Sequence, residues 1–432
     1  MDGSYGVTVT EPSTDGIRTS IAANAERAAA LLADAVRQPT LSGDERLLEP
    51  LFSAWFAQQG WRLERQVLAE TAVGRSPRGL AEPRMTERAN LIGWLGEPRG
   101  REVVTINAHY DVVPVIDLDD WDADPFSGLR RDGAVFGRGA VDNKGGCVAA
   151  MLALRAIADA GVELAFDLAV ELIAGEETTG LGTMATLEAR PTRIATIVME
   201  PTDNAIVPAN SGVLFFTIAV DGRAVHTSVP WRGEDALKKL IAIYRALDAL
   251  GERRAERRHP SMEQWPTSVP LVVGTLTGGG WRAAVPAHAS MSGRIGILPG
   301  EEIDAVRQEL IAAIDEVVAA DPWLRAHPPR LQWDNDGAPG WELDQEHELV
   351  QAMEAGQAAV GMGSVVHGIT AGCDAGVIHR SGIPVVVFGP GDMARAHSPN
   401  EYVLESEVLQ AAEILAVALV ELSDRIERRT GA

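Results

Sequence analysis

The stretch Val103-Val104-Thr105-Ile106-Asn107-Ala108-His109-Tyr110-Asp111-Val112-Val113-Pro114 decides the architecture, because an apolar, β-branched run ends in a histidine and, two residues on, an acid. Residues i and i+2 of an extended chain share a face, so His109 and Asp111 are placed together. A carboxylate there can accept the second ring N–H of a metal-binding imidazole, and Asp111 is the natural orienter of His109. The same pair also serves as an ordinary structural hydrogen bond. Two further runs of this kind, Phe166 to Ala174 and Ile194 to Met199, follow downstream, with a helical stretch, Gly145 to Ala158, between the first two strands. Strands alternating with helices predict an α/β sheet.

Each run delivers an acid or a histidine at its carboxyl end. Phe166 to Ala174 leads into Gly175-Glu176-Glu177, and Ile194 to Met199 into Glu200-Pro201-Thr202. Val385 to Phe388 leads through Gly389-Pro390-Gly391 to Ala396-His397-Ser398-Pro399-Asn400-Glu401. The segment Phe136-Gly137-Arg138-Gly139-Ala140-Val141-Asp142-Asn143-Lys144-Gly145-Gly146 adds an acid in a glycine-rich turn entering a helix. It is no dinucleotide fingerprint, since Asp142 stands where the third glycine belongs. Singly, each reads equally as a capping acid or a solvated loop. Together they matter, because the carboxyl ends of strands in an open α/β sheet converge on one crevice. Two histidines with several carboxylates suit zinc, and the lack of cysteine ligands favours a catalytic site over a closed structural one.

Outward from that core, the first fifteen or so residues read as a polar tail, and Ile21 to Val36 and Glu45 to Gln59 carry helical spacing. Ala69 to Arg88 reads as a loop before a short strand, Asn90 to Leu95. From about Val207 the pattern changes to strands Gly212 to Val220, Ser268 to Thr277 and Ser290 to Ile297, with helices Gly233 to Ala255 and Glu301 to Ala320. This predicts an α+β unit at 207–332 inserted between catalytic segments 1–206 and 333–432. The last segment carries helices Glu346 to Val360 and Leu404 to Arg425.

With 432 residues and 46% apolar content the chain can bury two cores. Its formal charge of -23 argues against nucleic acid and anionic membranes as partners. Two cysteines, Cys147 and Cys373, rule out a disulfide framework and fit a reducing, cytoplasmic setting. Neither a signal-type leader in Met1 to Asp15 nor a membrane-spanning apolar run is read.

Taken in order from about Asn90 to Glu401, these motifs resemble the zinc-dependent family containing acetylornithine deacetylase, succinyl-diaminopimelate desuccinylase, aminoacylase and glutamate carboxypeptidase. The resemblance implies a di-zinc peptidase-like catalytic domain, a central mixed sheet flanked by helices, with an inserted ferredoxin-like lid and dimerisation domain. It implies that His109, Asp142 and Glu200 hold one metal and Glu177, Asp142 and His397 the other, with Asp142 bridging and Glu176 as general base. The metals implied are two Zn2+, with Co2+ or Mn2+ as substitutes. Gly222-Arg-Ala-Val-His226-Thr-Ser-Val-Pro matches the motif whose histidine reaches the partner subunit's reaction centre in a homodimer and helps bind the oxyanion. Arg294 falls where relatives bind a substrate carboxylate, and it can equally make a lid salt bridge. Ala283-Ala284-Val285-Pro286 replaces the family's Asn-Val-Val-Pro, and Thr370-Ala-Gly-Cys-Asp374 departs from the desuccinylase Gly-Thr-Ser-Asp. These departures argue against desuccinylase activity, while the Gly278-Gly-Gly-Trp281 stretch and the Gly293-Arg-Ile-Gly-Ile-Leu-Pro-Gly-Glu301 run look more like the deacetylase branch, so the expectation is acetylornithine deacetylase-like removal of an acyl group from a small N-acylated amino acid or amine. A metallo-dipeptidase or carboxypeptidase, or a deformylase of an N-formyl aminopyrimidine, is the alternative.

Overall fold

The computed structural model describes residues 11–190, 192–334 and 337–430. The chain divides into two compact units, one formed by Met1–Pro208, Leu343–Val366 and Cys373–Ala432, the other by Ala209–Glu342 and His367–Gly372.

The first unit is built on a six-stranded mixed sheet, ordered Leu63–Val67, Ala89–Trp94, Asp167–Ile173, Val103–His109, Ala195–Met199 and Val385–Phe388. The last four run parallel, and the first two are antiparallel additions at one edge. Ala89–Trp94, Asp167–Ile173 and Ala195–Met199 are buried at every residue, as strands covered on both faces must be. Even Glu171, inside such a strand, is enclosed, and Arg193 meets it at 2.8 Å. The helices Glu11–Val36, Gly145–Asp159 and Glu405–Thr430 pack on one another, and Glu348–Ala359 packs on the last.

Two local expectations change here. The Leu63–Val67 strand is one the sequence does not announce, because Leu-Glu-Arg-Gln-Val shows no apolar run; it is a half-buried edge strand with one neighbour. The tail expected over the first fifteen residues lies outside the described residues up to residue 10, while Glu11 already opens the first helix.

The second unit follows the order strand Gly212–Asp221, helix Ala236–Ala255, strands Leu271–Gly278 and His288–Ile297, helix Ile303–Ala320 and strand Arg330–Trp333. Its antiparallel sheet is ordered Leu271–Gly278, His288–Ile297, Gly212–Asp221, Arg330–Trp333, the arrangement of a ferredoxin-like βαββαβ unit. The two helices cover the sheet through a core that includes Phe216, Ile218, Leu240, Leu247, Met291 and Leu310. Asp235 starts the long helix by accepting from the N–H groups of Leu237 and Lys238. The unit runs to Glu342 rather than 332, because Val213 pairs with Ala338 and Asn210 with Trp341. It also recruits 367–372, where Ile369 donates to the Ala209 carbonyl and accepts from Ser211. Among the described residues no helix is long and apolar enough to cross a membrane.

Candidate metal centre

Register brings the site together. His109 is paired with Ile173 at the end of one parallel ladder, and Phe388 with Met199 at the end of another, so the loops carrying Glu176, Glu177, Glu200 and His397 leave the same edge of the sheet. Asp142 enters from the turn before Gly145–Asp159. Gly139 lets that turn close: its φ is +85°, and a Cβ there would collide with Val112. Gly175 plays the same part before Glu176, with φ +83° and the Arg88 guanidinium against its open face.

Asp142 presents one carboxylate oxygen to each histidine. Its Oδ1 lies 2.9 Å from His109 Nε2 and its Oδ2 3.3 Å from His397 Nε2. Glu200 Oε1 lies 3.8 Å from His109 Nε2, and Glu177 Oε1 3.3 Å from His397 Nε2. Donor atoms of His109, Asp142 and Glu177 fall within 4.8 Å of one another, as do those of His109, Glu176 and Glu200.

The electrostatics state what such a cluster lacks. Burial pushes the Glu176 and Glu200 carboxyls well above the ordinary carboxylate range; the His109 charge opposes this, and the neighbouring acids add to it, Glu177 and Asp374 on both, Glu200 on Glu176 and Asp142 on Glu200. Hydrogen bonds to Asp142 and Glu177 raise the His397 imidazole to about 10. Several acids this close, and this dry, cannot all ionise unless cations compensate them. Imidazole nitrogen and carboxylate oxygen are the donors zinc and similar divalent metals take. The residues present therefore fit a pair of divalent cations.

Asp111 is placed differently from expectation. His109 Nδ1 faces the Asp111 backbone carbonyl at 3.0 Å, while the nearest Asp111 carboxylate oxygen is 3.7 Å away. That carboxylate instead accepts from the N–H groups of Gly175, Glu176 and Glu177 and from the Ser42 hydroxyl. The Asp111 carbonyl therefore meets the ring, and its side chain is left to hold the neighbouring loop. Asp111 thus orients His109 through its main chain and positions Glu176 through its side chain.

Other supports carry little sequence signal. Glu401 accepts from the N–H groups of Val141 and Asp142 and pairs with Arg138 at 2.5 Å, and burial raises its carboxyl to about 7. It stood in the quoted His397 motif without a role. Cys147 donates to the His109 carbonyl. Asp374, raised to about 6 by burial, accepts from Thr183, which accepts from Asn107. That chain ties the His109 strand to the helix after Glu177, and only the fold joins its members.

His226 and Arg294 belong to the second unit. His226 is exposed on a turn bridged to Ala284, and its Nδ1 accepts the Ser228 N–H at 3.1 Å. That leaves Nε2 as the protonated, donating nitrogen. Arg294 donates to the Thr370 carbonyl at 2.8 Å, and its Nε has no hydrogen-bond partner among the described residues. No carboxylate pairs with it among the described residues, and burial lowers its guanidinium below the usual arginine range.

The family described as Peptidase family M20/M25/M40 matches residues 105–421, and the chain belongs to it. It is a metal-dependent hydrolase acting on amide bonds. An N-formyl-4-amino-5-aminomethyl-2-methylpyrimidine deformylase of Bacillus subtilis is 27% identical over 333 residues, covering 72% of this chain and 77% of the relative. A probable carboxypeptidase of Aspergillus oryzae is 26% identical over 388 residues, covering 87% and 85%. Among solved structures, the di-peptidase Dug1p of Saccharomyces cerevisiae shares the fold with a TM-score of 0.78 at 16% identity, over 96% of this chain and 99% of that one.

Proposed function

We propose that the protein hydrolyses the amide bond of a small N-acylated compound. His109, Asp142 and Glu200 would hold one divalent cation and Glu177, Asp142 and His397 a second, with Zn2+ first and Co2+ or Mn2+ as substitutes. The carrying observation is Asp142, with one oxygen toward each histidine and Glu176 in the same buried cluster. When bound, the cations supply polarisation of the carbonyl and acidification of water. Glu176, steadied through the Asp111 grip on its loop, takes the proton of the attacking water and passes it to the departing amine. A cavity of about 450 Å³ opens beside Glu177, bordered by Ser42, Asp44, Arg84 and Pro114, room for a small substrate.

Similarity over most of both chains makes an N-formylated aminopyrimidine the first substrate to try, ahead of acetylornithine and other N-acetyl amino acids. Arg294 favours a second reading. A half-buried guanidinium without a carboxylate partner suits a substrate that brings its own, such as a dipeptide or an N-acyl amino acid, and the carboxypeptidase relatives agree with it. Metal-loaded protein offered the formyl aminopyrimidine, a dipeptide series and N-acetyl amino acids separates these. Hydrolysis of none of them, or hydrolysis that survives Glu176→Gln undiminished, would sink the proposal.

We also propose a homodimer. Leu271–Gly278 is an open edge strand whose Val272 and Leu276 are 51% and 42% exposed, and the adjoining helix exposes Ile241 and Tyr244. An apolar antiparallel edge of this kind pairs with its own copy about a two-fold axis. Light scattering that reports a monomer at micromolar concentration removes this proposal, and with it the delivery of His226 to a partner's site.

A further inference from the structure

Away from the metal cluster, a cavity of about 250 Å³ opens among three helices of the first unit, Glu11–Val36, Glu49–Gln59 and Gly145–Asp159. Its floor is Val148, Met151 and Leu152, all at most 5% exposed, and Leu31, Leu51 and Trp55 form its walls. Its polar lining includes Asn24, Arg27, Asp34, Gln58, Gln59 and Arg155. Of these, Asp34 is engaged by Arg37, and Arg155 by Asp159 at 2.8 Å and by Gln59. Arg27 is the exception: its hydrogen bond to Gln58 is long, 3.5 Å, and among the described residues no carboxylate pairs with it. Arg27 is exposed and makes no ion pair among the described residues, so its charge is free to meet an anion at this apolar hole. For scale, an apolar cavity of about 150 Å³ accommodates benzene, so this one has room for a ring and a short carboxylate arm. Trp55 offers such a ring an aromatic wall.

From these features we propose that the cavity binds a small aryl or alkyl carboxylate, with its apolar body against Met151, Leu152 and Trp55 and its carboxylate on Arg27. The cavity shares no residue with the metal cluster. Its walls nevertheless end there: Gly145–Asp159 begins at the Asp142 turn, and Lys144 Nζ donates to the carbonyl of Gln38, just beyond the first helix.

Calorimetric titration with 3-phenylpropanoate, 3-phenylpropanol and 3-phenylpropylamine tests this in metal-loaded and chelator-stripped protein. The carboxylate is expected to bind with a Kd on the order of 1 mM or tighter, equally in both forms, because the site does not use the metals. The alcohol should bind roughly tenfold more weakly and the amine more weakly still, since only the carboxylate gains a charge-assisted hydrogen bond. Arg27→Glu should weaken carboxylate binding by about tenfold or more while sparing the alcohol, and Leu31→Trp, which fills the wall, should abolish binding of both. Circular dichroism checks that each variant is folded. Carboxylate binding that disappears on chelation would assign it to the cations and overturn the proposal. So would equal affinity for amine and carboxylate, or no heat from any probe at concentrations on the order of 10 mM.

Discussion

In the first unit His109, Asp111, Asp142 and Glu200 are at most 7% exposed, and each touches another side chain or loop of the cluster. In the second unit His226 stands exposed on a turn, and Arg294 leans on a single backbone carbonyl. A buried cluster of like charges tolerates no approximation, because losing one partner leaves the others uncompensated. On the proposed function, the chemistry belongs to the cluster of the first unit, and the second unit is where a choice of substrate would be tested.

The largest effect expected on the first side of this comparison is that of Glu176→Gln. It keeps the shape of the cluster and removes the proton acceptor, so turnover should fall by about 10² to 10⁴ with two metals per chain retained. Metal analysis beside steady-state rates checks both halves. Loss of a metal along with activity would make Glu176 a ligand and dissolve its separation from Glu177.

Arg294→Met probes the other side. If the second unit selects substrate, dipeptides or N-acyl amino acids should lose about 1.5 to 3 kcal/mol of binding, roughly 10- to 100-fold in KM, at nearly constant kcat. An N-formyl aminopyrimidine, lacking a carboxylate, should be unaffected. Equal losses for both substrate types would mean that Arg294 holds the fold of its unit, and the contrast drawn between the units would weaken.

How much of this was legible in sequence follows the same division. The parallel strands could be read because burial on both faces demands unbroken apolar runs, and each run carried its acid or histidine at the end. Leu63–Val67 could not, since an edge strand is free to be polar. The end of the second unit at Glu342 and its recruitment of 367–372 rest on isolated bridges and one two-residue strand pair, which leave no periodicity behind. Within the site, the residue types were visible but not their hydrogen bonds. The spacing sets Asp111 next to His109, but it does not encode whether the carbonyl or the carboxylate meets the ring. Asp374, Thr183 and Asn107 are far apart in sequence and meet only through packing.

A titration sharpens the contrast through stability. In metal-free protein the His397 imidazolium is favoured by Asp142 and Glu177. The stability this lends is complete below its unfolded value of about 6.5 and is lost as pH rises to about 10. Glu401 acts in the same direction at lower pH, because a buried carboxyl raised to about 7 opposes ionisation in the folded chain. Thermal unfolding of stripped protein should therefore drop steadily from about pH 6.5 to 10, with the His397 share reduced by its exposure to solvent. Metal-loaded protein should show little of this slope, since the cations take over from the proton. Parallel slopes in the two forms would mean that metals do not occupy this cluster.

The smallest effect expected is that of Ser228→Ala. His226 Nδ1 receives both the Ser228 main-chain N–H and a contact of 2.8 Å from its hydroxyl. Removing the hydroxyl leaves the main-chain donor, so the tautomer with the proton on Nε2 persists and only part of the ring's restraint is lost. About 1 kcal/mol, roughly fivefold in kcat/KM, is the scale of one such hydrogen bond. His226→Ala, which removes the donor itself, should cost about 10² or more in kcat if it faces a developing oxyanion. A large Ser228→Ala effect would show the exposed turn to be as exactingly built as the buried cluster, and equal, negligible effects of both would remove His226 from the chemistry.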